Sequence, residues 1–260
     1  MLYLHRSERS DHLVDALGDL LLEPLADPMA REVVAIPTRG VERWLSQRLS
    51  HRLGASNAAG DGVCANVDFP FPGSLVAAAM TAALGNGLPK YDRDPWAPER
   101  SVWPLLQLVD EHLDDELMWP LAAHLRASSP ALPGRGPRRF AAVRHIADLF
   151  DSYAVHRPEM VLAWKEGAEV GPASLRPADV AWQAELWRHL RHKLGLPSPA
   201  ERFTTAPALI EAGPDLLDLP SRVSVFGLTR LPASHLRVLK AISAHRDVHL
   251  FLLHPSGALW

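Results

Sequence analysis

The run Val33-Val34-Ala35-Ile36 leads into Pro37-Thr38-Arg39-Gly40, after which Val41, Trp44, Leu45 and Leu49 recur at helical spacing. A strand, a turn and a helix in that order is where a nucleotide-binding protein places G-x-x-x-x-G-K-[ST]. There the backbone N–H groups cradle phosphates, Lys holds the β/γ-phosphates and a hydroxyl holds magnesium. This junction carries one glycine and no lysine, so it excludes an ordinary phosphate loop. Further along, Leu105-Leu106-Gln107-Leu108-Val109-Asp110-Glu111 imitates a magnesium-binding Asp-Glu at the end of a hydrophobic strand, yet Leu105, Leu108, Val109 and Leu113 also fit one helix face. Without a phosphate loop the ATPase reading fails, and Asp110, Glu111, Asp114, Asp115 and Glu116 read as a solvated acidic face. His189 and His192 stand three apart on a helix, but H-E-x-x-H is absent and spacing places no carboxylate beside them. They read as surface histidines beside Arg188, Arg191 and Lys193, and no metal is assigned. No G-x-S-x-G elbow presents a serine, so no catalytic residue is assigned either.

Two constellations remain. In a helix predicted over Arg138–His156, Phe140, Val143, Ala147, Phe150 and Ala154 form the apolar stripe, while Arg144, Asp148 and Asp151 line another face at spacings of four and three. His156-Arg157-Pro158 stops it, because a residue before proline avoids the α region. Pattern alone makes this an amphipathic helix whose Arg144–Asp148 pair adds about 0.2–0.5 kcal/mol. Arg39 and Arg43 lie four apart at a helix N-terminus, where cations oppose the dipole. A bound phosphate could offset that cost, and solvent exposure could equally make it small.

The elements that must position these residues separate into α/β ends around a helical middle. Strands are predicted at Leu2–His5, Val33–Ile36, Val63–Val67, Val223–Phe226 and Asp247–Leu253, with helices at Asp11–Leu25, Val41–Leu53 and Pro232–Ala244. Ala55–Gly62 reads as a loop. Between Pro89 and Pro214 strand signals disappear, and prolines at 95, 98, 104, 120, 130, 133 and 137 punctuate helical pieces. Crossovers in the last unit imply parallel sheet. The expected architecture is a parallel α/β domain over 1–88 and 215–260, interrupted by an all-helical subdomain over 89–214. No internal repeat occurs, and Ser128–Gly136 is the one Pro- and Gly-rich linker.

With 260 residues, 47% of them hydrophobic, the chain can fill one large core or two smaller ones. A net charge of -3 argues against a generally basic nucleic-acid coat, so DNA contact would require a local arginine channel. The single cysteine, Cys64, excludes an internal disulfide and a Cys-based zinc site and suits a reducing cytoplasm. No run approaches the roughly 18 apolar residues of a membrane helix, so a soluble, cytoplasmic protein without membrane contact is expected.

The opening Met1–Arg9, the I-P-T-R-G-V-E-R-W-L turn and Val67–Ser74 together resemble the start of the RecC family, the gamma subunits of exodeoxyribonuclease V. Ala147–Pro158, Ala181–Trp187 and Pro220–Leu228 continue the resemblance in the same order over nearly the whole chain, which reads as the N-terminal portion of a longer protein. The resemblance implies a superfamily 1 helicase-like domain with its motor residues lost and a helical subdomain inserted in it. It implies a non-catalytic subunit with no cofactor of its own, in a heterotrimer whose RecB-like and RecD-like partners carry the ATP, the magnesium and the nuclease. Its ligands would be a duplex end and the 3′-ended single strand, handled during double-strand-break repair and recombination. Asp148, Leu149, Asp151 and Arg157 fall on positions that line the strand channel in the best-known members, and Arg202 matches another. At Pro37, Arg39, Arg43, Phe71 and Ala77 those members carry other residues, so side chains able to contact bases are exchanged here. Arg39 and Arg43 are kept as candidate channel cations. An active superfamily 1 helicase and a purely structural assembly scaffold stand as the alternatives.

Overall fold

The computed structural model describes residues 1–27, 29–53, 62–85, 89, 93–127 and 137–254. Two compact units emerge, one from residues 1–83 with 206–260 and the other from residues 84–205.

The first unit is a five-stranded parallel sheet in the order β1-β5-β4-β2-β3. Its strands are β1 (Leu2–Ser7), β2 (Glu32–Ala35), β3 (Val67–Asp68), β4 (Arg222–Phe226) and β5 (Asp247–Leu253). Parallel strands are covered on both faces and read as continuous apolar runs rather than alternations. β4 fits that rule, since all of Arg222–Phe226 is buried. The helices of this unit are α1 (Ser10–Leu22), α2 (Arg39–Ser50), α3 (Pro72–Leu84) and α10 (Ala233–Ile242). Leu13, Leu17 and Leu21 of α1 and Leu45 and Leu49 of α2 share one core with Val34, Ile36, Phe226 and Phe251.

The strand predicted at Val63–Val67 is corrected to Val67–Asp68. Asn66 takes the left-handed region (φ 57°) and its side-chain amide donates to the Ala30 carbonyl at 2.8 Å, so pairing begins only beyond it. The Ala55–Gly62 loop lies outside the described residues except for Gly62, and the Ser128–Gly136 linker lies outside them altogether.

The second unit carries α4 (Pro98–His112), α5 (Trp119–Ala127), α6 (Pro137–His156), α7 (Pro158–Lys165), α8 (Pro177–Leu194) and the start of α9 (Pro199–Ala212). No strand occurs among its described residues. Proline opens α4, α6, α7, α8 and α9, where its missing N–H costs nothing. Pro104 does not punctuate as expected; it stands inside α4. The lost hydrogen bond and ring clash cost about 3 kcal/mol, offset by burial of Val102, Leu105, Leu108 and Val109 around it. The core is aromatic: Trp187 lies 5.8 Å from Trp96 and 6.4 Å from Trp164, and Phe150 and Tyr153 meet Trp164 edge-on. Buried indoles need acceptors, and Trp96 and Trp164 donate to the carbonyls of Leu196 and Val170. Phe140, expected in the apolar stripe of α6, is instead 44% exposed and packs on exposed Trp103, because that stripe runs out at the first turn.

Candidate nucleic-acid interface

At the β2–α2 junction the N–H group of Val41, in the first turn, already has its acceptor. Thr38 caps the helix: its hydroxyl accepts from the Val41 N–H at 3.3 Å, and its carbonyl accepts from Val41 and Glu42. Arg39 sits at the unfavourable end of the dipole, but its guanidinium pairs with Glu42 and lies 5.1 Å over the ring of half-exposed Phe71. Arg43 is exposed, and its side chain has no hydrogen-bond or ion-pair partner among the described residues. The junction therefore offers two arginines and an aromatic face.

In the helical unit, α6 presents Asp148 and Asp151 exposed on one side. Arg144 reaches both Asp148, at 3.1 Å, and Glu99, at 3.0 Å. One cation thus stands among three acids. Asp151 keeps solvent contact yet is hemmed in by protein, and this surrounding first, then the like charges of Glu99, Asp148 and Asp94, raise its pKa above the ordinary carboxyl value despite the opposing pull of His156. At the helix stop, Arg157 stands at the N-cap position of α7 (φ −140°, ψ 49°), outside the helical region, with Pro158 following at the first helical position. Its side chain is exposed and has no hydrogen-bond or ion-pair partner among the described residues.

Two other expected channel residues stand elsewhere. Leu149 faces a different side of α6, in a cleft of about 430 Å³ with Trp119, His145 and Trp182, and neither Asp148, Asp151 nor Arg157 lines that cleft. Arg202 is 5% exposed; its guanidinium grips the Asp94 carboxylate through both terminal nitrogens, and its Nε donates to the Pro197 carbonyl at 2.9 Å. The acids at 110, 111, 114, 115 and 116 are exposed, as the pattern suggests, and Glu111 and Asp114 are held by Lys193 and Arg126. His192 is exposed. His189, however, stacks on His112 with Asp115 alongside, a grouping invisible to local spacing because His189 is far in the chain from the other two.

The family described as the RecC N-terminal domain matches residues 2–260. Among curated proteins, the chain is 44% identical over 263 residues to the RecBCD enzyme subunit RecC of Mycobacterium tuberculosis, covering all of this chain and 23% of that protein. It is 43% identical over 261 residues to its counterpart in Mycolicibacterium smegmatis and 30% identical over 278 residues to that of Escherichia coli, in each case over all of this chain and 22% of the relative.

Proposed function

Because the chain belongs to the RecC family, matching the N-terminal domain of proteins more than four times its length, we propose that it is the strand-handling portion of a non-catalytic subunit in an exodeoxyribonuclease V. Its α/β unit is a superfamily 1 helicase-like domain without motor residues, and its helical unit is the insertion within it. RecB-like and RecD-like partners supply ATP, magnesium and nuclease chemistry in the cytoplasm, while this chain guides the 3′-ended strand during double-strand-break repair and recombination. No described helix is long and apolar enough to cross a membrane.

The observation that carries this reading is the exposed face of α6, where Asp148 and Asp151 stand together and Arg157, with no ion-pair partner among the described residues, follows the helix end. Single-stranded DNA needs cations for its phosphates and flat faces for its bases. Arg157 serves the first need here, as do Arg43 and Arg39 in the other unit, where Phe71 offers a stacking face. Asp148 and Asp151 accept hydrogen bonds from base amino groups such as cytosine N4, in a surrounding already overstocked with negative charge. Leu149 contributes apolar lining through its own cleft. Arg202 is left out, since Asp94 and Pro197 occupy it.

The motor reading finds no support at the β2–α2 turn, which carries one glycine and no lysine and where Glu42 pairs with Arg39. The test is a salt titration of single-strand binding by the assembled enzyme. Arg157→Ala is expected to weaken binding and to reduce the salt slope by about one phosphate contact, while Asp148→Ala leaves the slope unchanged and alters any sequence response. Wild-type slope and affinity in Arg157→Ala would return α6 to an ordinary amphipathic helix.

A further inference from the structure

The end of α4 and the middle of α8 bring three potential ligands together. His112 is the last residue of α4, Asp115 stands in the turn after it, and His189 comes from α8. The imidazoles of His112 and His189 stack with centroids 3.9 Å apart and planes 19° from parallel. Asp115 Oδ2 lies 2.7 Å from His112 Nδ1. One donor atom from each of the three residues lies within 4.8 Å of the others.

Two features make this more than a chance encounter of polar side chains. The helices that carry it are fixed by shared core residues: Leu105, Leu108 and Val109 of α4 pack in one cluster with Leu186, Trp187 and Leu190 of α8. The ring of His189 is also held from behind, since Glu185 Oε1 lies 3.2 Å from its Nε2. A carboxylate behind a histidine is the usual outer support of a metal ligand, setting both tautomer and ring orientation. Glu185 is in turn balanced by Arg188, so it does not simply add charge to an acidic surface.

We propose that His112, Asp115 and His189 bind a first-row divalent transition ion of the zinc type, with water completing its coordination, and that this ion fastens the end of α4 to α8. Two imidazoles and one carboxylate form a nitrogen–oxygen set suited to such ions and poorly suited to calcium or magnesium. Zinc–ligand bonds of roughly 2.0–2.2 Å put tetrahedral ligands about 3.4 Å apart, so the donors, within 4.8 Å of one another, close on the ion as the two stacked rings splay to bring it into both ring planes. Asp115, exposed and in a turn, exchanges its 2.7 Å contact with His112 Nδ1 for the ion as the site closes.

The experiment titrates the metal-stripped full chain with Zn2+ by calorimetry and with Co2+ by visible absorption. One saturable equivalent is expected, with a cobalt spectrum of low coordination number. His112→Ala, His189→Ala and Asp115→Asn should each abolish it, Glu185→Gln should weaken it about 10–100-fold, and His192→Ala should leave it intact. Asp115→Asn is exposed and keeps the fold in place should a histidine variant fail to fold. Absence of a saturable equivalent in the wild type, or its survival in Asp115→Asn and both histidine variants, would overturn the proposal.

Discussion

Each unit buries one arginine against a carboxylate distant in the chain, and the settings differ. In the α/β unit Arg222 of β4 meets Glu32 of β2 across 190 residues and donates to the Glu23 carbonyl. Those strands are already joined by a backbone ladder that pairs Val33 with Val223 and Ala35 with Val225, so the ion pair sits beside a register that hydrogen bonds also set. In the helical unit Arg202 meets Asp94 across 108 residues, where no ladder exists. Helices satisfy their backbone groups internally and leave register to side chains. There the Arg202–Asp94 pair, the Trp96 bond to Leu196 and the Glu201–Arg191 bridge fix the alignment that strands obtain from main chain.

The strongest way to break this comparison is to remove the arginines. Arg202→Met and Arg222→Met each strand a buried carboxylate and should cost about 3–5 kcal/mol in urea unfolding. The pairs diverge on repair. Replacing both partners with apolar side chains should restore most of the stability in the α/β unit, where the ladder keeps the register. In the helical unit the stability should return without the fixed geometry, seen as broadened methyl and indole signals. Equal sharpness in both repaired proteins would remove the distinction.

Acid sharpens it next. His249 of β5 is 7% exposed, between the rings of Tyr3 and Phe251 and hydrogen-bonded to His5. Burial, then the neighbouring His5, lowers its pKa from 6.5 to about 4. The unfolded chain therefore binds the extra proton first: this support is complete above 6.5 and lost as pH falls through about 4. Glu201 behaves differently. Burial pushes its carboxyl up, but hydrogen bonds from Arg191 and Ser198 and the charge of Arg191 outweigh that and hold it at about 2, against 4.5 ordinarily. Its support is complete above 4.5 and lost as pH falls through about 2. Each shift is worth on the order of 3 kcal/mol at most. Urea midpoints measured against pH should show His249→Phe removing the upper step and Glu201→Gln the lower; a single step abolished by neither variant would show that these groups do not govern the acid response.

The smallest effects concern helix starts. Thr38→Ala removes the hydroxyl cap of α2 and should cost about 1 kcal/mol. Pro177→Ala, at the exposed first turn of α8, should cost about 0.4–1 kcal/mol through the unfolded chain alone. Thermal melts of the two variants should rank them in that order.

Local patterns made much of the fold legible. The apolar runs at Val33, Val223 and Asp247 are strands because buried parallel strands lack alternation, and Pro158, which opens α7, marked the end of α6. The candidate site was legible only in part. Asp148 and Asp151 share a face because helical geometry requires it, but nothing local tells that Leu149 turns toward Trp119 and Trp182. Arg202 was a channel residue only by resemblance, and nothing local shows that Asp94, in another segment, neutralises it. For the same reason His189 was weighed against His192, its neighbour on the helix, while its actual contact was His112. Tertiary partners of polar side chains leave no periodic trace.

The strand order has a consequence for synthesis. Among the described residues β1 pairs only with β5, Leu2 opposite Val248, so β1 waits 248 − 2 = 246 residues for its neighbour. At roughly 5–20 residues per second, that is about 12–50 s during which its edges have no partner. The helices of the second unit emerge and can pack within that interval. A nascent chain of this protein therefore offers β1 to holdase chaperones or to its own kind before it can offer it to the sheet, and a ribosome pause anywhere between β1 and β5 lengthens that exposure.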